Sequence, residues 1–160
     1  MSDERQVSEI LSRYTRAADN RDAHAMSVLF AADAVVEVFN RGDGEYTKVS
    51  QIHGAETIGN AVAGLMAPHP PRGWSHHTTF DHIITVEGDE ASLDAQFIVY
   101  NTVGAARPAG GWPKDMLGAQ GTIIPIEVGY YRPQQRRVDA AWKIVHHQIL
   151  HDIPYVFPGL

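Results

Sequence analysis

Apolar residues recur every three or four positions in the first part of the chain, at Val7, Ile10, Leu11, Tyr14 and Ala18. This spacing predicts an amphipathic helix. Asp22 has the character of an N-cap, and we expect a second helix over residues 23–30. A third helix is predicted over residues 55–66, because the prolines that begin at Pro68 end it and form a loop.

Segments rich in β-branched and aromatic residues fill most of the remaining chain. Strands are predicted over residues 34–39, 76–86, 91–103, 121–132 and 140–150. Turns are expected at residues 41–44 and 87–90, and residues 133–135 are expected to begin the last hairpin connection. Helices followed by an antiparallel meander predict an α+β fold. A bent sheet beneath helices leaves one open end, where a pocket can form.

Residues 104–120 form a long predicted loop. Five of its first ten residues are glycine or proline, and the loop contains Trp112. Loops of this length in compact domains are usually functional lids or poorly ordered segments. The chain shows neither an internal repeat nor a linker, so we expect residues 1–160 to form a single domain.

Composition narrows the classes of function. The formal net charge is -6 and the longest basic run is the pair Arg136-Arg137, which argues against a nucleic-acid partner. The chain has no cysteine, so disulfides, thiolate metal sites and cysteine nucleophiles are excluded. No apolar run approaches the length of a membrane span, and the first residues are polar, unlike a signal peptide. We therefore expect a cytoplasmic protein without a membrane partner.

The chain contains nine histidines, which raises the question of a metal site. Neighbours on a strand point to opposite faces, so the pairs His76-His77 and His146-His147 diverge. No histidine pair with a single residue between its members is present, nor a glutamate three residues before a histidine. We expect no metal ion and no other cofactor.

Several segments, in this order along the chain, resemble those of SnoaL-like proteins of the nuclear-transport-factor-2-like superfamily. They are residues 13–22, 29–36, 52–54, 76–77, 86–91, 129–131 and 137–144. The resemblance covers about residues 5–150. It implies a cone-shaped, bent, mostly antiparallel sheet with three helices from the first half of the chain over its open face, a cystatin-like α+β barrel. The most similar branch contains scytalone dehydratase, hexachlorocyclohexane dehydrochlorinase and bile-acid 7-dehydratase.

Members of that branch pair a histidine on the first long strand with an aspartate at the end of the first helix. The resemblance places these roles on His77 and Asp19, and a further polar role on Tyr14. The residues themselves leave alternatives open. Asp19 can serve only its turn, although a carboxylate is disfavoured at a helix C-terminus unless a cation such as imidazolium lies beside it. His77 can be a hydrogen-bonded strand residue, and Tyr14 can be a core residue.

Further residues are candidates for the pocket wall. Aromatic side chains at Phe30, Trp74, Phe97 and Trp112 are expected to line it. Tyr100 is expected to point inward as a polar group. His146 is a candidate for a third polar group, although a hydrogen-bonded core histidine is the favoured interpretation.

The resemblance implies a cofactor-independent lyase that performs a dehydratase-type β-elimination. His77 acts as the base, Asp19 orients it, and Tyr14 assists the leaving group. The expected substrate is small and apolar, of an aromatic, polyketide-like or steroid-like class. The alternatives are an isomerase or cyclase with the same base, a non-catalytic small subunit of a ring-hydroxylating dioxygenase, and a ligand-binding module. Relatives form dimers or trimers, and we expect a homo-oligomer, with a trimer favoured.

Overall fold

The computed structural model describes residues 1–157. Its helices are α1 (Asp3–Asn20), α2 (Ala23–Ser27) and α3 (Ala55–Leu65). Its strands are β1 (Phe30–Arg41), β2 (Tyr46–His53), β3 (Gly73–Glu87), β4 (Glu90–Gly104), β5 (Gly121–Val138) and β6 (Ala141–His151). The last three residues of the expected single domain, 158–160, lie outside the described part.

The six strands form one sheet in the order β2-β1-β6-β5-β4-β3. β1 and β6 run parallel, and every other neighbouring pair is antiparallel. The helices all come from the first half of the chain, so the predicted α+β class and mostly antiparallel sheet are confirmed. α1 packs on β3, and α2 packs on α3.

The helices follow from local signals in the sequence. Val7, Leu11 and Ala18 form the buried stripe of α1, as their spacing predicts. The side chain of Asp22 accepts a hydrogen bond from the backbone N–H of Ala25 at 2.9 Å, which confirms the predicted cap of α2. This helix ends at Ser27 rather than at residue 30, because Phe30 begins β1.

Two parts of the sheet differ from the prediction. β2 was not predicted, because it lies at the sheet edge and its largely polar side chains are mostly exposed, so it lacks an apolar pattern. The prediction that the last connection begins at residues 133–135 is wrong, since β5 continues to Val138. β4 pairs with Tyr131 and Gln134 but not with Pro133, so the missing N–H of proline is tolerated there. The turn lies at Asp139 and Ala140, both with positive φ.

Candidate functional site

A cavity of about 100 Å³ lies between the sheet, α1, α3 and the C-terminal tail. Most of its wall is apolar, with Val36 and Val38 from β1 and Ile58 and Val62 from α3 among the lining residues. The side chains with polar atoms that line it are Tyr14, His77, Glu127, Tyr131, His151 and Tyr155. A mostly apolar pocket with a few convergent polar groups is typical of a small-molecule site.

Asp19 and His77 are in direct contact. His77 Nδ1 lies 2.5 Å from Asp19 Oδ1, and the two side chains are 4% and 13% exposed. The backbone N–H of His77 also donates to the same carboxylate, at 3.0 Å from Oδ1 and 3.1 Å from Oδ2. Since Nδ1–H donates to the carboxylate, the tautomer leaves a lone pair on Nε2, which has no hydrogen-bond partner among the described residues. His77 lines the cavity, and it therefore presents a base to the cavity.

The end of α1 is built to hold the charge of Asp19. Arg21, two residues after Asp19, adopts a left-handed backbone conformation with φ 53° and ends the helix. Its guanidinium donates to the carbonyl of Ala18 at 2.5 Å and to Ser75 Oγ at 3.3 Å. Ser75 Oγ in turn donates to Asp19 Oδ1 at 3.3 Å. Burial lowers the pKa of Arg21, and the charge of Asp19 partly offsets this effect. A cation therefore compensates the carboxylate at the negative end of the helix dipole.

The loop after α3 also contacts this end of α1. His69 Nε2–H donates to the backbone carbonyl of Asp19 at 2.7 Å. The His69 ring stacks on Trp74, with centroids 4.5 Å apart. Trp74 is 44% exposed and lies on the outer side of the Asp19–His77 contact rather than on the cavity wall. Trp74 thus fixes His69, and through it the backbone at Asp19.

Tyr14 lies on α1 and lines the same cavity as His77. Its ring makes edge contacts with Tyr131 and His147, at centroid distances of 5.5 and 4.9 Å. Burial, together with the charge of Glu127, raises the pKa of Tyr14 well above its usual value. The phenol stays protonated at neutral pH and can donate a hydrogen bond to a bound molecule.

Four of the other predicted wall residues lie elsewhere. Phe30 and Phe97 are core residues, and Phe97 stacks behind Tyr131 with centroids 4.1 Å apart. On β4, Phe97 and Val99 are buried, whereas Tyr100 points to the other face, is only half-buried and does not line the cavity. Trp112 is 40% exposed in the segment between β4 and β5. Alternation along β4 explains the position of Tyr100, whereas Phe30 and Phe97 lie too deep in the core to line the cavity.

The structure also corrects the expected position of His146. Gln134 pairs with His146 and Gln135 with Ile144, so Val145 is an extra residue in β6. This bulge reverses the alternation, and His147 rather than His146 is buried on the helix-covered face. His146 Nε2 instead lies 2.8 Å from Glu37 Oε2 on the other face, where hydrogen bonds from Lys48 and His146 lower the pKa of Glu37.

Sequence reasoning missed Glu127 and His151. Glu127 Oε2 lies 3.3 Å from His151 Nε2, and the side chains are 14% and 5% exposed. Both residues line the cavity. Glu127 is the one charged residue in the largely apolar sequence of residues 121–131, and that isolation was the available signal.

The C-terminal tail lies over the cavity beside this pair. The ring of Tyr155 stacks on His151, with centroids 5.0 Å apart. Asn40 fixes the tail, because its side chain exchanges two hydrogen bonds of 3.0 Å with the backbone of Tyr155. The tail therefore forms part of the cavity wall.

Metal-binding clusters and membrane-spanning helices are both absent from the described residues. Within residues 1–157, no three histidine, cysteine or acidic side chains are grouped so that they could hold a metal ion. None of the helices in the same range is both long enough and apolar enough to cross a membrane.

The sequence matches the family model of the SnoaL-like domain over residues 1–148. The chain belongs to the SnoaL-like family. No curated protein sequence matches this SnoaL-like chain significantly.

Solved structures share the fold of this SnoaL-like protein. An NTF2-like protein with a cystatin-like fold from Novosphingobium aromaticivorans is 24% identical, with a TM-score of 0.65 over 93% of this chain and 81% of that one. A protein assigned as the β subunit of an aromatic-ring-hydroxylating dioxygenase from the same organism is 15% identical, with a TM-score of 0.67 over 96% and 91%. A protein from Streptomyces avermitilis assigned as an NTF2-like dehydratase is 16% identical, with a TM-score of 0.59 over 94% and 96%. Identities this low establish a common fold and nothing about activity.

Proposed function

We propose that this SnoaL-like protein is a cofactor-independent lyase of the dehydratase type, related in mechanism to the scytalone dehydratase branch. The observation that supports it is the 2.5 Å contact between Asp19 and His77, which leaves Nε2 of His77 as the base at an apolar cavity. A neutral imidazole held by a carboxylate is suited to proton abstraction near neutral pH.

In the proposed reaction, His77 Nε2 removes a proton from a carbon beside a carbonyl group. The electron pair of that C–H bond forms the new carbon–carbon double bond, and the hydroxyl on the next carbon departs. The imidazolium returns its proton to the departing hydroxyl, so one water molecule leaves and the enzyme is regenerated. Asp19 stabilises the imidazolium, and the protonated Tyr14 donates a hydrogen bond where negative charge develops.

The volume of the cavity favours the smallest of the expected substrates. An apolar cavity of about 150 Å³ can bind benzene, and the volume here is about 100 Å³. A molecule with one small ring is therefore a better match than a steroid. The lining supplies apolar contacts around the ring and polar atoms at few points.

Two alternatives use the same fold. An isomerase would use His77 in the same way and return the proton to a different carbon. A non-catalytic subunit is supported by the similarity in fold to the dioxygenase β subunit. A non-catalytic subunit does not need the Asp19–His77 contact for its function. The kinetic test below distinguishes such a subunit from a lyase.

The test uses small cyclic β-hydroxy ketones, beginning with 3-hydroxycyclohexanone. Elimination yields water and cyclohex-2-enone, and formation of the enone is followed by its ultraviolet absorbance. Exchange of the acidic C–H protons in deuterated water is followed by NMR. His77→Ala should abolish both signals, whereas His76→Ala should change neither, because the neighbouring histidine is exposed on the opposite face. Exchange without elimination favours the isomerase. Equal rates in the wild type and His77→Ala contradict the proposal.

We also propose that the protein forms a homo-oligomer, with a trimer favoured by the resemblance to the dehydratase branch. Four apolar side chains of β5 near Glu127 are exposed, Ile123, Ile124, Ile126 and Val128, at 70%, 56%, 36% and 38%. Adjacent apolar side chains on an exposed strand are typical of a surface that another chain covers.

A further inference from the structure

His77 and Glu127 lie in one row across the sheet. His77 pairs with Val99 on β4, and Val99 pairs with Glu127 on β5. Residues paired in this way point to the same face, and both His77 and Glu127 line the cavity. Two strand spacings separate their backbones, which is roughly 10 Å. In this row across the sheet, an ionisable side chain therefore lies on either side of Val99.

Glu127 is held in a defined position. His151 Nε2 lies 3.3 Å from Oε2 of Glu127. The His151 ring is itself fixed between the stacked ring of Tyr155, at 5.0 Å, and the edge of Phe97, at 5.7 Å. The charge of Glu127 adds to burial in raising the pKa of Tyr14 and of Tyr131, so this carboxylate acts on the same space as the tyrosines.

The hydrogen bonding of Glu127 is incomplete. A carboxylate in a mostly apolar cavity is costly unless its oxygens are paired. Glu127 Oε2 lies 3.3 Å from His151 Nε2, and neither oxygen of Glu127 accepts a hydrogen bond within residues 1–157. His151 is buried, and its Nδ1 also has no hydrogen-bond partner among residues 1–157. A ligand that donates a hydrogen bond to Glu127 satisfies the carboxylate.

We propose that Glu127, positioned by His151, is a second polar site of the cavity and recognises a hydroxyl group of the ligand. The ligand class is a single-ring compound with a hydrogen-bond donor on the side of the ring away from His77. The orientation relative to His77 rests on the proposed lyase function, whereas the recognition of a hydroxyl does not.

The experiment compares two probes that differ in one group. Binding of 4-fluorophenol and 4-fluorotoluene to the full chain is measured by fluorine NMR, because a methyl replaces the hydroxyl at similar size. We expect the wild type to bind the phenol at least about tenfold more tightly, as one charge-assisted hydrogen bond provides. Glu127→Leu should abolish this preference, and Glu127→Gln, which keeps an acceptor oxygen, should reduce it.

The matched control is Glu37→Gln. Glu37 is also a carboxylate paired with a histidine, but it lies on the other face of the sheet, with His146 2.8 Å away. The phenol preference should remain in this variant. Absence of a preference in the wild type overturns the proposal, and so does an unchanged preference in Glu127→Leu. If Glu127→Leu does not fold, as judged by circular dichroism, an unchanged preference in Glu127→Gln overturns it.

His77→Ala separates this inference from the lyase. It should lose elimination activity and keep the phenol preference. A preference that depends on His77 and not on Glu127 overturns the inference while the lyase stands. A preference that depends on Glu127 in a protein without elimination activity supports the inference and leaves the lyase contradicted.

Discussion

The carboxylate of Asp19 binds His77 at two points, its backbone N–H at 3.0 Å and its imidazole Nδ1 at 2.5 Å. One side chain thus joins the end of α1 to β3 and also fixes the orientation of the ring. The same carboxylate accepts from Ser75, which is itself bonded to Arg21. Asp19 is therefore both a structural connection and the partner of the proposed base.

Asp19→Asn should lower the rate of elimination by at least about 100-fold, because the amide does not stabilise an imidazolium. It should also lower the free energy of unfolding by about 1.5–3 kcal/mol, the contribution of hydrogen bonds to a charged group. Rates of elimination are measured with the small cyclic β-hydroxy ketones, and the free energy of unfolding is measured by urea denaturation. Asp22→Asn is the control, since asparagine caps a helix as well as aspartate does. A fully active Asp19→Asn variant contradicts the role of Asp19.

Tyr14→Phe should lower kcat by about 100-fold, the usual cost of losing one donor to a developing charge. Stability should change by less than about 0.5 kcal/mol, since the ring contacts with Tyr131 and His147 are retained. Steady-state kinetics and thermal unfolding check the two parts. Tyr100→Phe, which alters a tyrosine outside the cavity, should be neutral. Equal losses in the two variants show that the hydroxyl of Tyr14 has no special role.

His147 predicts a specific pH dependence of stability. Burial lowers its pKa to about 3 in the folded protein, whereas an unfolded histidine titrates near about 6.5. Between these values the unfolded chain binds the additional proton, so the free energy of unfolding falls as the pH falls through this window. His147 should contribute up to about 1.4 kcal/mol per pH unit to that slope.

Urea denaturation between pH 7 and pH 4 checks this prediction. His147→Leu should have a shallower slope than the wild type. Ile144→Val, a substitution in the same strand without a titratable group, should lower stability by a similar amount at every pH. Parallel slopes in the wild type and His147→Leu show that His147 is protonated in the folded state.

The exposed apolar side chains of β5 predict an assembly that a single added charge disrupts. Light scattering after size-exclusion chromatography should give the mass of an oligomer, with three chains favoured, for the wild type. Ile126→Asp should give a monomer, because a carboxylate is costly to bury at an interface. Val49→Asp, at an apolar residue of the edge strand β2 that is 40% exposed, should leave the mass unchanged. A monomeric wild type contradicts the prediction.

Patterns among residues close together in the sequence were sufficient to predict much of the fold. The stripe of α1, the cap at Asp22 and the hairpin at Gly88 all depend on residues a few positions apart, so a single sequence contains the whole signal. The resemblance selected Asp19 and His77 as partners, and the structure places them in contact. Their catalytic roles remain predictions that only rates can test.

Tertiary structure decided the rest of the site. The extra residue at Val145 decides that His147 rather than His146 is buried, and no local pattern marks that bulge. Glu127 meets His77 across the cavity only because β3, β4 and β5 pair in one register, which brings together residues fifty positions apart. Side-chain periodicity by itself determines which residues share a face within one strand. The hydrogen-bonded register between strands determines which faces meet, because it depends on the packing of the whole sheet.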